Sequence, residues 1–132
     1  MIVIVEAISG GNVITLLLLT AVLCIILGMG LPTAAAYILV ATLTAPALVT
    51  MGVDLMAAHM FVFYSAMLSS ITPPVALAAF AAAAISREPP MLVAMISVKF
   101  GFVAFLLPYF FVLEPRLLLM GTLGEAIGVF LM

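Results

Sequence analysis

The sequence predicts an all-α integral membrane fold in which two helices are interrupted at depth. Three observations predict it. The first is composition: of 132 residues, 69% are hydrophobic and 6% charged, and mean hydropathy is +1.58. A soluble domain is about 45–50% apolar and about 25% charged. The second is layout: long apolar runs alternate with short polar loops. The third is a pair of helix-breaking motifs inside those runs, Gly28-Met29-Gly30-Leu31-Pro32-Thr33 and Ser69-Ser70-Ile71-Thr72-Pro73-Pro74. In a bilayer an unpaired backbone group costs several kcal/mol, so such breaks survive only where protein buries them or a polar cavity meets them. Two of them about forty residues apart fit a transporter with discontinuous helices.

The elements follow in order. Residues 1–12 read as the end of a preceding segment and a loop, Ser9-Gly10-Gly11-Asn12. With neither a basic leader nor a cleavage site at the start, the chain is expected to continue a longer protein. Residues 13–49 read as a re-entrant hairpin with its tip at 28–33. Each arm is short of the about 20 residues that a span needs. The Gly residues suit left-handed dihedrals at a helix end, and Pro32 suits the first turn of the next helix. One long kinked span is the alternative. Asp54 is placed to cap the following helix. Residues 55–86 read as one transmembrane helix broken at 69–74, with an alanine-rich second arm suited to close helix packing. Residues 91–113 read as a continuous span kinked at Pro108, and 117–132 as a partial final span. Arg87 and Arg116 fall on opposite sides, each with an acidic neighbour, so charge leaves orientation open.

Composition excludes several functions. Net charge is −2 with three basic residues, too few to neutralise a nucleic-acid backbone. The single cysteine, Cys24, permits no internal disulfide and no thiolate cluster, and in an apolar run it reads as a small hydrophobe. No nucleophile–base pair, phosphate-binding loop or metal-ligand spacing occurs, so the chain does not read as an enzyme and calls for no cofactor. His59 reads as an interfacial or hydrogen-bonded residue. Lys99 lies inside the 91–113 run, where it is either functional or extended to the interface.

The breaks themselves offer chemistry. Carbonyls ending a first arm coordinate cations, and N–H groups opening a second arm favour anions. Gly28 and Gly30, through their carbonyls, and the hydroxyls of Thr33, Ser69, Ser70 and Thr72 are the candidate cation ligands. The N–H groups of Thr33, Ala34 and Ala35 are the candidate substrate contacts, suited to an anion. Pro32, Pro73 and Pro74 are the structural breakers; the last two supply no N–H, leaving carbonyls around residues 68–71 as expected free acceptors. Neutral oxygen donors without a carboxylate suit a monovalent hard cation such as sodium. The competing reading is that these residues only kink helices for packing.

Together with Ala36-Tyr37-Ile38, Ala45-Pro46-Ala47-Leu48, Ala58-His59-Met60-Phe61-Val62-Phe63-Tyr64 and Ile71-Thr72-Pro73-Pro74-Val75-Ala76-Leu77, the breaks make the chain resemble the large permease subunit of TRAP (tripartite ATP-independent periplasmic) transporters. It is most similar to the C-terminal portion of the form in which small and large membrane subunits are fused. The resemblance covers about residues 9–116; Ala34 departs from it, standing where a second Thr is expected. It implies an elevator-type, sodium-coupled importer of organic acids such as C4-dicarboxylates in a bacterial or archaeal inner membrane. It also implies two inverted repeats, of which this chain is the second, with sodium ions between the tip and the break. The implied partners are a periplasmic solute-binding protein, the first repeat and small-subunit portion of the permease, membrane lipid and the organic acid. A non-transporting scaffold subunit, or another ion-coupled transporter with broken helices, is the alternative.

Overall fold

The computed structural model describes residues 10–118. The readings of residues 1–8 as the end of an earlier helix, and of most of 117–132 as a final span, lie outside them. Six α-helices and three short 3-10 turns make up the described chain, and it contains no strand. Helix α1 is Val13–Gly28, α2 Thr33–Thr50, α3 Leu55–Leu68, α4 Leu77–Ser86, α5 Pro90–Phe100 and α6 Leu107–Leu113. The 3-10 turns are Ser69–Ile71, Phe102–Phe105 and Pro115–Leu118.

Local chemistry sets the helix starts. Asn12 accepts from the Ile14 N–H at 2.9 Å and opens α1. Asp54 accepts from Met56 and Ala57 at 2.8 and 3.3 Å and opens α3, the capping role its place in the sequence predicts. Arg87 closes α4 in a left-handed conformation at φ 59°, a position that glycine more often fills. Pro46 lies inside α2 without ending it, although its ring nitrogen cannot bond the carbonyl one turn back.

Helices α1, α2 and α3 pack mutually into a three-helix bundle. The Cys24 thiol faces the Val62 carbonyl at 3.8 Å. Four residues further along α1, Gly28 abuts Ser69 at the end of α3. Helices α1 and α3 therefore run in the same direction, and α2 returns antiparallel to both. The core between them holds Leu16, Leu17, Val40, Leu48, Phe61 and Val62, with Ala41, Ala47, Ala57 and Ala58 letting the backbones come close. Helix α6 leans on α3 through two edge-to-face pairs, Phe61–Tyr109 and Tyr64–Phe111, each with ring centres 5.2 Å apart. Helices α4 and α5 form a separate arm bent by 118°, with its own small cluster of Ala76, Ala79 and Ala94.

Two sequence expectations are corrected. Residues 91–113 are not one continuous helix: α5 ends at Phe100, a 3-10 turn follows, and Pro108 lies in the first turn of α6 rather than at a mid-helix kink. The interruption falls at Gly101, which caps α5; a Cβ there would come within 3.0 Å of the Ser97 carbonyl and 3.1 Å of Ile71 Cδ1, so the position has little room for a side chain. Lys99 consequently lies in the last turn of α5, where a cation complements the helix dipole. The second break is also longer than its motif, since the chain becomes helical again only at Leu77. Among the described residues, α2 alone is long and apolar enough to cross a membrane by length and composition; α4 and α5 qualify only as a bent pair, and α1, α3 and Phe102–Leu113 are shorter apolar helices.

Candidate functional site

The site is where the two breaks meet. At the end of α1 the chain turns through residues 29–32. Gly30 has φ +80°, which L side chains rarely adopt, and a Cβ on it would stand 3.8 Å from Val75 Cγ1. Two weak turn bonds hold the tip: Met29 N–H to the Ile26 carbonyl at 3.4 Å, and Leu31 N–H to the Gly28 carbonyl at 3.3 Å. Pro32 precedes α2 with an extended ψ of 143° and no side chain caps that helix start. Thr33 is half-buried there, and Ala34 and Ala35 are exposed.

The second break carries its own internal bonds. Ser69 Oγ donates to the Ala66 carbonyl at 2.6 Å, Ser70 Oγ to Met67 at 2.7 Å and Thr72 Oγ1 to Leu68 at 2.7 Å. The Thr72 N–H donates to the Ser69 carbonyl at 3.2 Å. The carbonyls of Leu68 and Ser69 are therefore not free acceptors, contrary to the sequence expectation. The break's own hydroxyls and its Thr72 N–H satisfy them, because Pro73 and Pro74 cannot. A hydroxyl that donates its proton keeps its lone pairs, so these three side chains present oxygen acceptors only. Pro73 is half-buried, Pro74 is exposed, and the bond between them is cis.

Gly28 joins the two. A Cβ on it would fall 2.7 Å from Ser69 Cβ and closer still to Ser69 Oγ, with Ala36 Cβ at 3.6 Å. Ser69 is 2% exposed. Since α1 and α3 are parallel, both of their carboxyl-terminal ends arrive at this contact, and neither carries a basic residue in its last turn. Helix C-termini bear partial negative charge, so two converging ends make a field that favours a cation. The amino-terminal end of α2 opens beside them, with the opposite sign.

Gly28, Ser69, Gly30 and the 69–75 segment are thus brought together, with Thr33 to Ala35 on the adjoining helix start. Sequence reasoning missed the side-chain neighbours of these glycines: Ala36 Cβ beside Gly28 and Val75 beside Gly30. Neither side chain has a polar atom to draw notice; only the glycines opposite them carry a signal. Outside the site, His59 is hydrogen-bonded, as one of its two readings has it: its Nδ1 pairs with the Tyr37 hydroxyl at 2.9 Å.

A family model described as "Tripartite ATP-independent periplasmic transporter, DctM component" matches residues 3–126. No curated protein and no solved structure matches the chain. The matched family is one of integral membrane transporter components, not of enzymes. With the match spanning nearly the whole sequence and the helical architecture agreeing with it, the chain belongs to the DctM family of tripartite ATP-independent periplasmic transporter components.

Proposed function

We propose that this chain is the C-terminal portion of a TRAP permease, of the fused form, and that the full-length protein imports an organic acid with sodium as the coupling ion. Residues 13–49 form the re-entrant hairpin and 55–86 the broken transmembrane helix of the second inverted repeat in an elevator-type carrier. Sodium sits between tip and break, held by carbonyls of the tip with Gly28 and Gly30, and by the oxygens of Ser69, Ser70 and Thr72, with Thr33 at the edge. The N–H groups of Thr33, Ala34 and Ala35 take a substrate carboxylate, such as that of a C4-dicarboxylate delivered by a periplasmic solute-binding protein to the inner membrane.

One observation carries this reading: two parallel helices end in carbonyls at a shared contact, Gly28 on Ser69. Helix ends of like sign are normally separated or neutralised, and a bound cation offsets their repulsion. The packing-kink alternative draws support from the hydroxyls bonding back to their own helix.

Sodium titration of uptake by the full-length permease decides between the two. Thr72→Val keeps the side-chain shape and removes the oxygen. Loss of a partly buried ligand of this kind costs about 1–3 kcal/mol, or roughly five- to 150-fold in sodium half-saturation. Thr50→Val, at the far end of α2, should leave it unchanged. Equal half-saturation in wild type and Thr72→Val, after correction for protein in the membrane, removes Thr72 from the ligand set. Uptake indifferent to sodium in wild type removes the coupling itself.

A further inference from the structure

Away from the breaks, α2 and α3 enclose a groove with polar groups along it. A cavity of about 620 Å³ runs along one face of α2, lined by Tyr37, Ala41, Ala45, Val49, Leu55 and His59 among others. A second cavity of about 510 Å³ shares Tyr37, Leu55 and His59 and extends to Asp54 and Met56. From Tyr37 to Val49 the groove covers three and a third helical turns, about 18 Å. One leaflet of a bilayer has a hydrocarbon depth of about 15 Å. The groove as a whole, its polar groups included, therefore spans about one leaflet.

The polar groups specify a headgroup. The Tyr37 hydroxyl lies 2.9 Å from His59 Nδ1. With the hydroxyl donating, the imidazole proton sits on Nε2, a donor with no partner among the described residues. Asp54 spends one oxygen, Oδ1, on capping α3 and keeps the other. No Lys or Arg lines either cavity. A lone carboxylate repels an anionic headgroup and attracts an ammonium, whereas an imidazole N–H suits a phosphate or ester oxygen.

We propose that this groove binds an aminophospholipid: one acyl chain along α2, the phosphate at His59 and the ammonium at Asp54. The site is independent of the sodium reading, since it shares no residue with either break. Charge sorts the candidates. Phosphatidylethanolamine satisfies both polar groups, and phosphatidylglycerol brings only an anion toward Asp54.

The test uses the full-length permease in nanodiscs and two photoactivatable lipids with the same diazirine acyl chain, one phosphatidylethanolamine and one phosphatidylglycerol. Crosslinks of the first should map to residues 37–49 and 55–59. They should exceed those of the second by about two- to fivefold, the range for a solvent-exposed ion pair. Thr42→Phe places a ring in the groove from an exposed position and should remove most crosslinks of both. Asp54→Asn keeps a good helix cap and should abolish the preference while leaving acyl crosslinking in place. Equal labelling by the two lipids in wild type overturns the headgroup assignment. Crosslinks mapping elsewhere, or unchanged by Thr42→Phe, overturn the groove.

Discussion

A methyl group added at position 28 has no space to occupy. Its carbon would lie 2.7 Å from Ser69 Cβ, and 3.4 Å is the near edge of ordinary contact. Rotating the Ser69 side chain gives no relief, because Cβ is fixed by the backbone, and rotation would break the 2.6 Å bond to the Ala66 carbonyl. Helices α1 and α3 must instead separate by about 0.7 Å at this level. Overpacking of that kind costs about 1–3 kcal/mol, a factor of roughly five to 150 in the equilibrium between the close-packed and separated arrangements. Thermal denaturation of the purified full-length permease reads this cost for Gly28→Ala. The double variant with Ser69→Gly removes the opposing Cβ and should recover most of the loss, since residues in contact couple by about 0.5–3 kcal/mol. A Gly28→Ala protein that melts with wild type refutes the contact. So does a penalty that is identical in the Ser69→Gly background.

Three further outcomes follow from the geometry. Gly30→Ala forces an L residue to φ +80° and should cost about 1–2 kcal/mol, visible as a lower melting temperature; an unchanged one would mean that the tip is not held in this turn. Cys24, fully buried with its thiol toward Val62, should resist a membrane-impermeant maleimide until the protein is denatured, and fast native labelling would contradict the α1–α3 packing. Tyr37→Phe deletes the bond to His59 but keeps the ring against Phe63, 5.8 Å away. It should therefore cost about 0.5–1.5 kcal/mol while His59→Gln in the Tyr37→Phe background adds little, and full additivity would show the two residues act separately.

What was legible in the sequence was what proline and glycine dictate. Gly28, Gly30 and Pro32 announced a turn between two helices, and Ser69 to Pro74 announced an interruption, because these residues restrict dihedrals whatever surrounds them. The rest depends on register between helices, and a chain apolar on all sides carries no periodicity from which to read it. Nothing local pairs Tyr37 with His59 or sets Gly28 on Ser69. Pro46 looks like a terminator and is accommodated inside α2. Gly101 looks like one small residue among many in an apolar run, yet α5 ends there, and Ile71, thirty residues earlier, leaves little room for a side chain. The satisfaction of the Leu68 carbonyl by Thr72 was within reach, since hydroxyls commonly bond back one turn.

The fit of Gly28 against Ser69 also limits how this part of the protein can move. Close-packed surfaces do not loosen by degrees; they hold one arrangement or jump to another. The tip cannot creep along α3, because neither partner has a flexible side chain to absorb a small slide. Tip and break therefore keep this contact intact, or they part altogether. Parting would uncover a serine hydroxyl that is otherwise sealed. The contact thus behaves as a latch with two positions.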